Sequence, residues 1–238
     1  MIAAIIQARL GSKRFPKKIF KKLGNNLILE VMYKRISMSK KVNKIIICTT
    51  NNKLDDQIEL FCKKFNIEFF RGSENNVMLR YIKCAEKFNI KHIIRLTGDC
   101  PLVDPKDVDR MISLYKKTRC DYLANTCPPE KSKFPNGSDI EIFSAKKLSS
   151  IYNYEKRKKN REHVTLNFWK ENKYKSIIFD NKKNLSKYRY TLDYFEDLKV
   201  INKIYTNFKT NILNVSRNEI IDYLDRNPEI SKYNEKYK

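Results

Sequence analysis

The sequence predicts an α/β protein with a Rossmann-like layered fold, a mixed and mostly parallel sheet covered by helices on both faces. Two observations carry this. Short apolar or β-branched runs alternate with segments of helical spacing about ten to fifteen residues long, the signature of repeated βαβ units. The first such run, Met1-Ile2-Ala3-Ala4-Ile5-Ile6, breaks directly into Gln7-Ala8-Arg9-Leu10-Gly11-Ser12-Lys13-Arg14-Phe15-Pro16-Lys17-Lys18. That is a cationic loop at the carboxyl end of a buried strand, where ligands sit in open α/β sheets.

The remaining elements follow in order. Leu27 to Ile36 has helical spacing, and Lys44 to Cys48 is a β-branched strand ending at Thr49-Thr50-Asn51-Asn52. Leu54, Ile58, Leu60, Phe61 and Phe65 mark an amphipathic helix, Ile67 to Phe70 a short strand, Val77 to Phe88 a helix and Lys91 to Leu96 the next strand. Beyond Pro105, the helix Asp107 to Lys117 leads to the strand Asp121 to Ala124. The prolines at 128, 129 and 135 forbid regular structure across Thr126 to Gly137, which has the character of a binding loop. Ser138 to Phe143 alternates as a strand, Glu162 to Trp169 reads as a helix, Tyr174 to Phe179 as a strand, and a last long helix starts near Phe195. Lys156-Arg157-Lys158-Lys159 reads as a solvated loop. The division expected is one domain over 1–210 and a C-terminal helical appendage over 211–238.

Composition narrows the class. With 238 residues, 41% of them hydrophobic, the chain can bury one large α/β core. The opening apolar run is far short of the ~20 residues that span a bilayer and lacks a cleavage site, so the expectation is a cytoplasmic protein with no membrane partner. Six cysteines without CxxC spacing and only two histidines speak against a zinc site or a disulfide framework. Cys48 and Cys62 lie in apolar-patterned segments and read as small buried hydrophobes. The net charge of +23 attracts anions, but lysines occur in nearly every segment and no nucleic-acid motif accompanies them. No specific nucleic-acid partner is expected.

Two carboxylates stand where chemistry is useful. Thr97-Gly98-Asp99 ends a strand; Asp99 suits Mg²⁺, which needs only one or two protein carboxylates beside substrate phosphates. The alternative is a turn in which Asp99 caps the next helix, a task Asp104 or Asp107 serves better. Asp193, placed at the end of a short strand, offers a second ligand or a simple N-cap. Glu162 is equally readable as helix-start electrostatics, and His163 as a substrate contact or a satisfied, partly buried side chain.

Six phrases in order, IIQARLGSKRFPKKI, FFRGSENNVMLRY, IIRLTGDCPLVDP, FPNGSDIEIF, REHVT and YRYTLDYFEDL, resemble the spore-coat polysaccharide biosynthesis protein F family. These cytidylyltransferase-like proteins are similar to the 3-deoxy-manno-octulosonate and acylneuraminate cytidylyltransferases. The resemblance covers residues 2 to about 205. It implies a nucleotide-diphospho-sugar transferase fold and transfer of CMP from CTP to a sugar or sugar acid, with release of pyrophosphate and Mg²⁺ as cofactor. It matches Arg9, Ser12, Arg14 and Lys18, with the backbone of Ala8, Leu10 and Gly11, to the loop that holds the triphosphate. Arg71, Gly72, Ser73 and Arg80 match a second nucleotide motif, with Thr97 and Gly98 beside it. Asp99 and Asp193 match metal ligands, and Gly137, Asp139, Glu141, Glu162 and His163 match the acceptor side. Lys17 stands where the family commonly has glycine. A homodimer is expected on the resemblance alone. The competing readings are a guanylyl- or uridylyltransferase, a nucleotide-sugar-dependent glycosyltransferase, and a non-catalytic basic nucleic-acid binder.

Overall fold

A computed structural model describes residues 1–237. The chain runs β1 (Ile2–Gln7), a β2 (Lys22–Leu23) and β3 (Asn26–Leu27) hairpin, α1 (Ile28–Ile36), β4 (Lys44–Thr50), α2 (Asp56–Lys64), β5 (Phe69–Gly72) and α3 (Val77–Lys87). It continues through β6 (His92–Thr97), α4 (Pro105–Thr118), β7 (Tyr122–Ala124), β8 (Glu141–Ser144), α5 (Ala145–Tyr154), α6 (Lys158–His163) and α7 (Leu166–Lys170). The last elements are β9 (Ser176–Ile178), α8 (Phe195–Asn207), α9 (Arg217–Arg226) and α10 (Pro228–Lys232).

The main sheet has the order β5-β4-β1-β6-β8-β7-β9. Strands β5, β4, β1 and β6 are mutually parallel, β8 runs antiparallel to both its neighbours, and β7 pairs parallel with β9. This is the mixed, mostly parallel sheet the sequence predicts. The central strand β1 has helices on both sides, and residues Ala3 to Ile6 are fully buried, which is why its sequence is an unbroken apolar run. Its side chains alternate between faces. Ala4 and Ile6 pack with Leu29 and Met32 of α1 and Val108 and Met111 of α4, while Ala3 and Ile5 pack with Met78 and Tyr81 of α3 and Phe168 of α7.

A third apolar cluster lies beyond the sheet and joins distant parts of the chain. Leu23, Ile28 and Val31 meet Tyr190 and Leu192, Val200 and Ile204 of α8, and Ile212, Val215, Ile220 and Leu224. Residues 211–237 carry α9 and α10 and share this core with α1. Buried Arg35 ties the same parts together, donating to the carbonyls of Leu102, Val103, Ile212 and Val215.

Three local expectations are corrected, and one element carried no expectation: the segment after β8 is helix α5, whose apolar face (Leu148, Ile151) is thin among lysines and serines. The helix expected at 162–169 is two: α6 starts at Lys158 inside the basic patch, and Val164 at φ 62° breaks it before α7. Buried Glu155 organises that corner by accepting from Arg157, Asn160 and Asn167. The strand expected from Ser138 begins only at Glu141, because the Asn125 side chain takes the Ser138 carbonyl and the Ile140 amide. Asp193 follows no strand; its approach makes a single bridge, Asn136 to Arg189. Asp104, by contrast, caps α4 through the Lys106 amide at 2.8 Å, as the sequence suggests.

Candidate active site

The site forms where three chain segments meet at the carboxyl ends of β1 and β6. The first is the basic loop. Leu10 is its anchor, a buried side chain whose amide donates to Asp55 Oδ1 at 2.8 Å. The Leu10 carbonyl accepts from the amides of Ser12 (2.9 Å) and Lys17 (3.1 Å), which closes residues 11–17 into a compact loop. Lys17 accommodates this closure in the left-handed region at φ 54°, a conformation that favours glycine. Arg9, Lys13 and Arg14 are left exposed around the rim, and Lys18 is turned inward.

The second segment is the turn after β6. Gly98 donates its amide to the Gln7 carbonyl at 2.8 Å. A Cβ there would sit 3.2 Å from that oxygen and 3.3 Å from Ile19, so this close approach of the two strand ends suits glycine. The third is residues 190–193, locked to the second by the Leu192 amide donating to the Asp99 carbonyl at 2.8 Å. That bond brings the carboxylates of Asp99 and Asp193 onto one cation: Lys18 Nζ lies 2.8 Å from Asp99 Oδ2 and 2.9 Å from Asp193 Oδ1. Arg14 adds a contact to Asp193 at 3.0 Å.

The charges shift one another. Burial works against the Lys18 ammonium, but Asp99 and then Asp193 outweigh it and hold its pKa above the ordinary value. Burial would raise Asp99, yet Lys18 overrides this and holds the carboxyl below the usual range. Hydrogen bonding to Tyr194 and the charge of Asp193 raise Arg14 against partial burial. Behind Asp99, Asp139 accepts from Thr126 Oγ1 at 2.8 Å and the Gly137 amide at 3.1 Å, and burial raises its pKa with help from the Asp99 charge.

These segments wall a cleft of about 640 Å³ lined by Ala8, Arg9, Gly11, Ser12, Lys13, Arg14 and Lys18 on one side and Thr97, Gly98, Asp99, Glu162 and Asp193 on the other. The point on which the two carboxylates converge is held by the Lys18 ammonium; with Lys18 turned toward a bound phosphate, the same two hard oxygen donors would suit a Mg²⁺ ion that keeps phosphate oxygens and water as ligands. The arrangement is a cationic loop facing a pair of carboxylates, suited to a polyanion.

Residues 3–220 match the family model described as cytidylyltransferase. The chain belongs to the cytidylyltransferase family. It is 33% identical to the spore coat polysaccharide biosynthesis protein SpsF of Bacillus subtilis over 238 aligned positions, covering 96% of this chain and 95% of that one. A cytidylyltransferase structure from Leptospira borgpetersenii superposes with a TM-score of 0.90 at 35% identity, over 97% and 96% of the two chains. The CMP:2-keto-3-deoxy-manno-octonic acid synthetase structure shares the fold at a TM-score of 0.64 and 13% identity, over 87% of this chain and 98% of that one.

Within this cytidylyltransferase, not every residue singled out in the sequence reaches the cleft. Leu10 supports the loop from the core. Arg71 turns away, donating to the carbonyls of Thr50 and Asn52 and pairing with Asp56 (2.7 Å) and Glu59 (2.8 Å) of α2. Buried Arg80 donates to the Ser73 carbonyl at 2.6 Å, its stem packed over Gly72. Ser73 accepts from the Asn76 amide at 3.1 Å, so the second motif acts here as scaffold and supplies the cleft with its next residues, Glu74 and Asn75.

Glu141 is 3% exposed and is consumed by Arg95 and by the Tyr122 hydroxyl at 2.6 Å; an interior ion pair, not an acceptor contact, is its place in this structure. Gly137 is buried against the backbone of Tyr190 and Thr191. His163 ends α6 in an exposed position that does not line the cleft, whereas its neighbour Glu162 does. Gln7, Glu74 and Asn75 were not singled out in the sequence and line the cleft; each directly continues a strand end or a motif that was, and that adjacency was the available signal. Among the described residues no helix is long and apolar enough to cross a membrane.

Proposed function

We propose that this cytidylyltransferase joins CMP from CTP to a sugar-acid acceptor in the cleft between the basic loop and Asp99, releasing pyrophosphate. The observation that carries the reading is the convergence of Asp99 and Asp193 on Lys18 of the basic loop at 2.8 and 2.9 Å, in the cleft that Arg9, Lys13 and Arg14 also line. Arg9, Lys13 and Arg14 with the loop backbone bind the triphosphate, because they surround it with donors fixed by the Leu10 anchor. Lys18 stands nearest the carboxylates and takes the phosphate oxygens on that side. Glu162, across the cleft, orients the acceptor hydroxyl.

The acceptor oxygen attacks the α-phosphorus in line, the bond to the bridging oxygen breaks, and pyrophosphate leaves with the negative charge. Fixed cations lower this barrier because charge builds on oxygens they already face. Asp99 and Asp193 would hold Mg²⁺, which supplies charge neutralisation on phosphate oxygens and eases deprotonation of the acceptor. A sugar acid is supported by the likeness to the octonic acid synthetase fold and to a polysaccharide biosynthesis protein.

The test is pyrophosphate release with each of the four nucleoside triphosphates and Mg²⁺ against a panel of acidic sugars, with Asp99→Ala alongside. Release with CTP, dependent on one acceptor and lost in the variant, is the expected result. Release with GTP or UTP instead would overturn the nucleotide assignment. Undiminished release in Asp99→Ala would overturn the site.

A further inference from the structure

Asp193 carries one half of the proposed cation site, yet it lies on an irregular segment with no strand to hold it. What fixes it is a buried carboxylate four residues on. Asp197 is fully buried, and one of its oxygens accepts from the amides of Asp193 at 2.8 Å and Tyr194 at 2.9 Å. Arg189 donates to both Asp197 oxygens, each at 2.9 Å. The fifth donor comes from the far end of the chain: Asn234 Nδ2 reaches Asp197 Oδ1 at 2.8 Å and the Arg189 carbonyl at 3.2 Å.

Asn234 is itself fully buried, so its side chain has been taken out of water to make these bonds. An uncompensated lone pair on a buried carboxylate is costly, and Asn234 Nδ2 meets one on Asp197 even though its own Oδ1 stays buried without a partner. The same terminal segment grips the loop a second time. Tyr237 stacks on Tyr194 with ring centroids 3.7 Å apart and planes 3° from parallel, and Lys236 pairs with Glu196 at 2.8 Å. Tyr194 in turn accepts from Arg14 Nη1 at 3.3 Å.

We infer that Asn234, acting through Asp197, is a positioning residue that sets the backbone of Asp193 and so the separation of the two site carboxylates. Residues 234–237 thereby contribute to a cation site to which they present no ligand. The inference rests on the reading of Asp193 as a metal ligand, and its test separates the two.

The test uses the full chain with Asn234→Leu, which keeps the branched outline of the side chain and removes the donor. Ile230→Val, a core change in α10, serves as the structural control. Two quantities are read beside thermal unfolding: Mn²⁺ affinity with CTP present, and hydrogen exchange at the Asp193 and Tyr194 amides. Asn234→Leu is expected to weaken Mn²⁺ about tenfold, as removal of a residue behind a metal ligand does, and to speed exchange at both amides. Ile230→Val should leave both unchanged. Unaltered exchange in Asn234→Leu, or equal effects in both variants, would overturn the inference. Unaltered Mn²⁺ affinity in Asp193→Ala would instead overturn the metal reading while the exchange result still judged Asn234. Should Asn234→Leu fail to fold, Tyr237→Ala against Tyr237→Phe gives the same readout, with weakened Mn²⁺ binding expected only where the ring is lost and equal binding counting against the inference.

Discussion

Lys18 holds the place between Asp99 and Asp193 that a divalent ion would share, and this gives one side chain two opposed effects. Its side chain is 12% exposed, against 28% for Asp99 and 21% for Asp193, so screening is incomplete and the attraction at this separation is on the order of 1–4 kcal/mol. Lys18→Met should therefore raise Mn²⁺ affinity of the nucleotide-free protein by about tenfold, a gain that calls for only ~1.4 kcal/mol, while raising the KM for CTP. Titration calorimetry of the nucleotide-free protein reads the first, and steady-state pyrophosphate release at varied CTP reads the second. The pH dependence follows from the signs. Asp99 titrates below its ordinary 3.8 in the folded state, so its contribution to stability is present above that value and lost as the pH falls through the folded pKa. Lys18 titrates above its ordinary 10.5, so its contribution is present below that value and lost as the pH rises through the folded pKa. The difference in Tm between wild type and Lys18→Met should be flat between about pH 5 and pH 9 and shrink on either side. At this scale much was legible. Arg9, Arg14, Lys18 and Asp99 follow the ends of β1 and β6, Asp193 follows no strand, and all five gather at the cleft. Arg71, Arg80 and Glu141 were not distinguishable from them, because a sequence does not say whether a charge faces a ligand or a neighbour such as Glu59, Ser73 or Arg95.

At the scale of elements, the parallel half of the sheet was legible because strands buried on both faces are apolar at their centres, as in the unbroken Ile2 to Ile6 of β1, Ile45 to Cys48 of β4 and Ile93-Ile94 of β6. The segments between 125 and 197 were not, since their order comes from single side chains: Asn125 holding 138–140, Glu155 holding α6 and α7, and Asp197 holding 193–194. Such contacts leave no periodic trace. The proline-rich loop illustrates the point. Its last residue, Gly137, sits at φ 106° with no room for a side chain, because a Cβ would lie 2.4 Å from the Thr191 amide nitrogen and 2.6 Å from the Tyr190 carbonyl carbon. Both backbone strain and overpacking would act in Gly137→Ala, and a loss of roughly 2–4 kcal/mol is expected. Because the displaced backbone leads directly to Asp193, the variant should also bind Mn²⁺ more weakly with CTP. Chemical denaturation together with Mn²⁺ titration checks this; full stability with intact metal binding would mean that the loop and the 190–193 segment yield freely to each other.

For the whole molecule, the boundary at residue 210 expected from weakening pattern runs through the third apolar cluster, and the family model itself continues to residue 220. The tail looked independent because its apolar residues, Ile212, Val215, Ile220 and Leu224, are spaced to meet α1 and α8 rather than one another. Arg35 shows how tight the union is. It is wholly buried, burial lowers its pKa to about 10, and its guanidinium serves carbonyls at 102, 103, 212 and 215 at once. Arg35→Met would fill much of the same volume but leave those carbonyls without their donor, a loss of ~3–5 kcal/mol by the cost of stranded buried polar groups. The form of the loss is more telling than its size. If residues 211–237 were a separate unit, calorimetry of the variant would show a low-temperature transition for the tail beside an unmoved main one. A shared core requires the opposite, one transition displaced as a whole, because the packing that Arg35 ties between α1 and residues 212–215 also seats α8 and, through residues 190–192, the segment that carries Asp193 into the cleft.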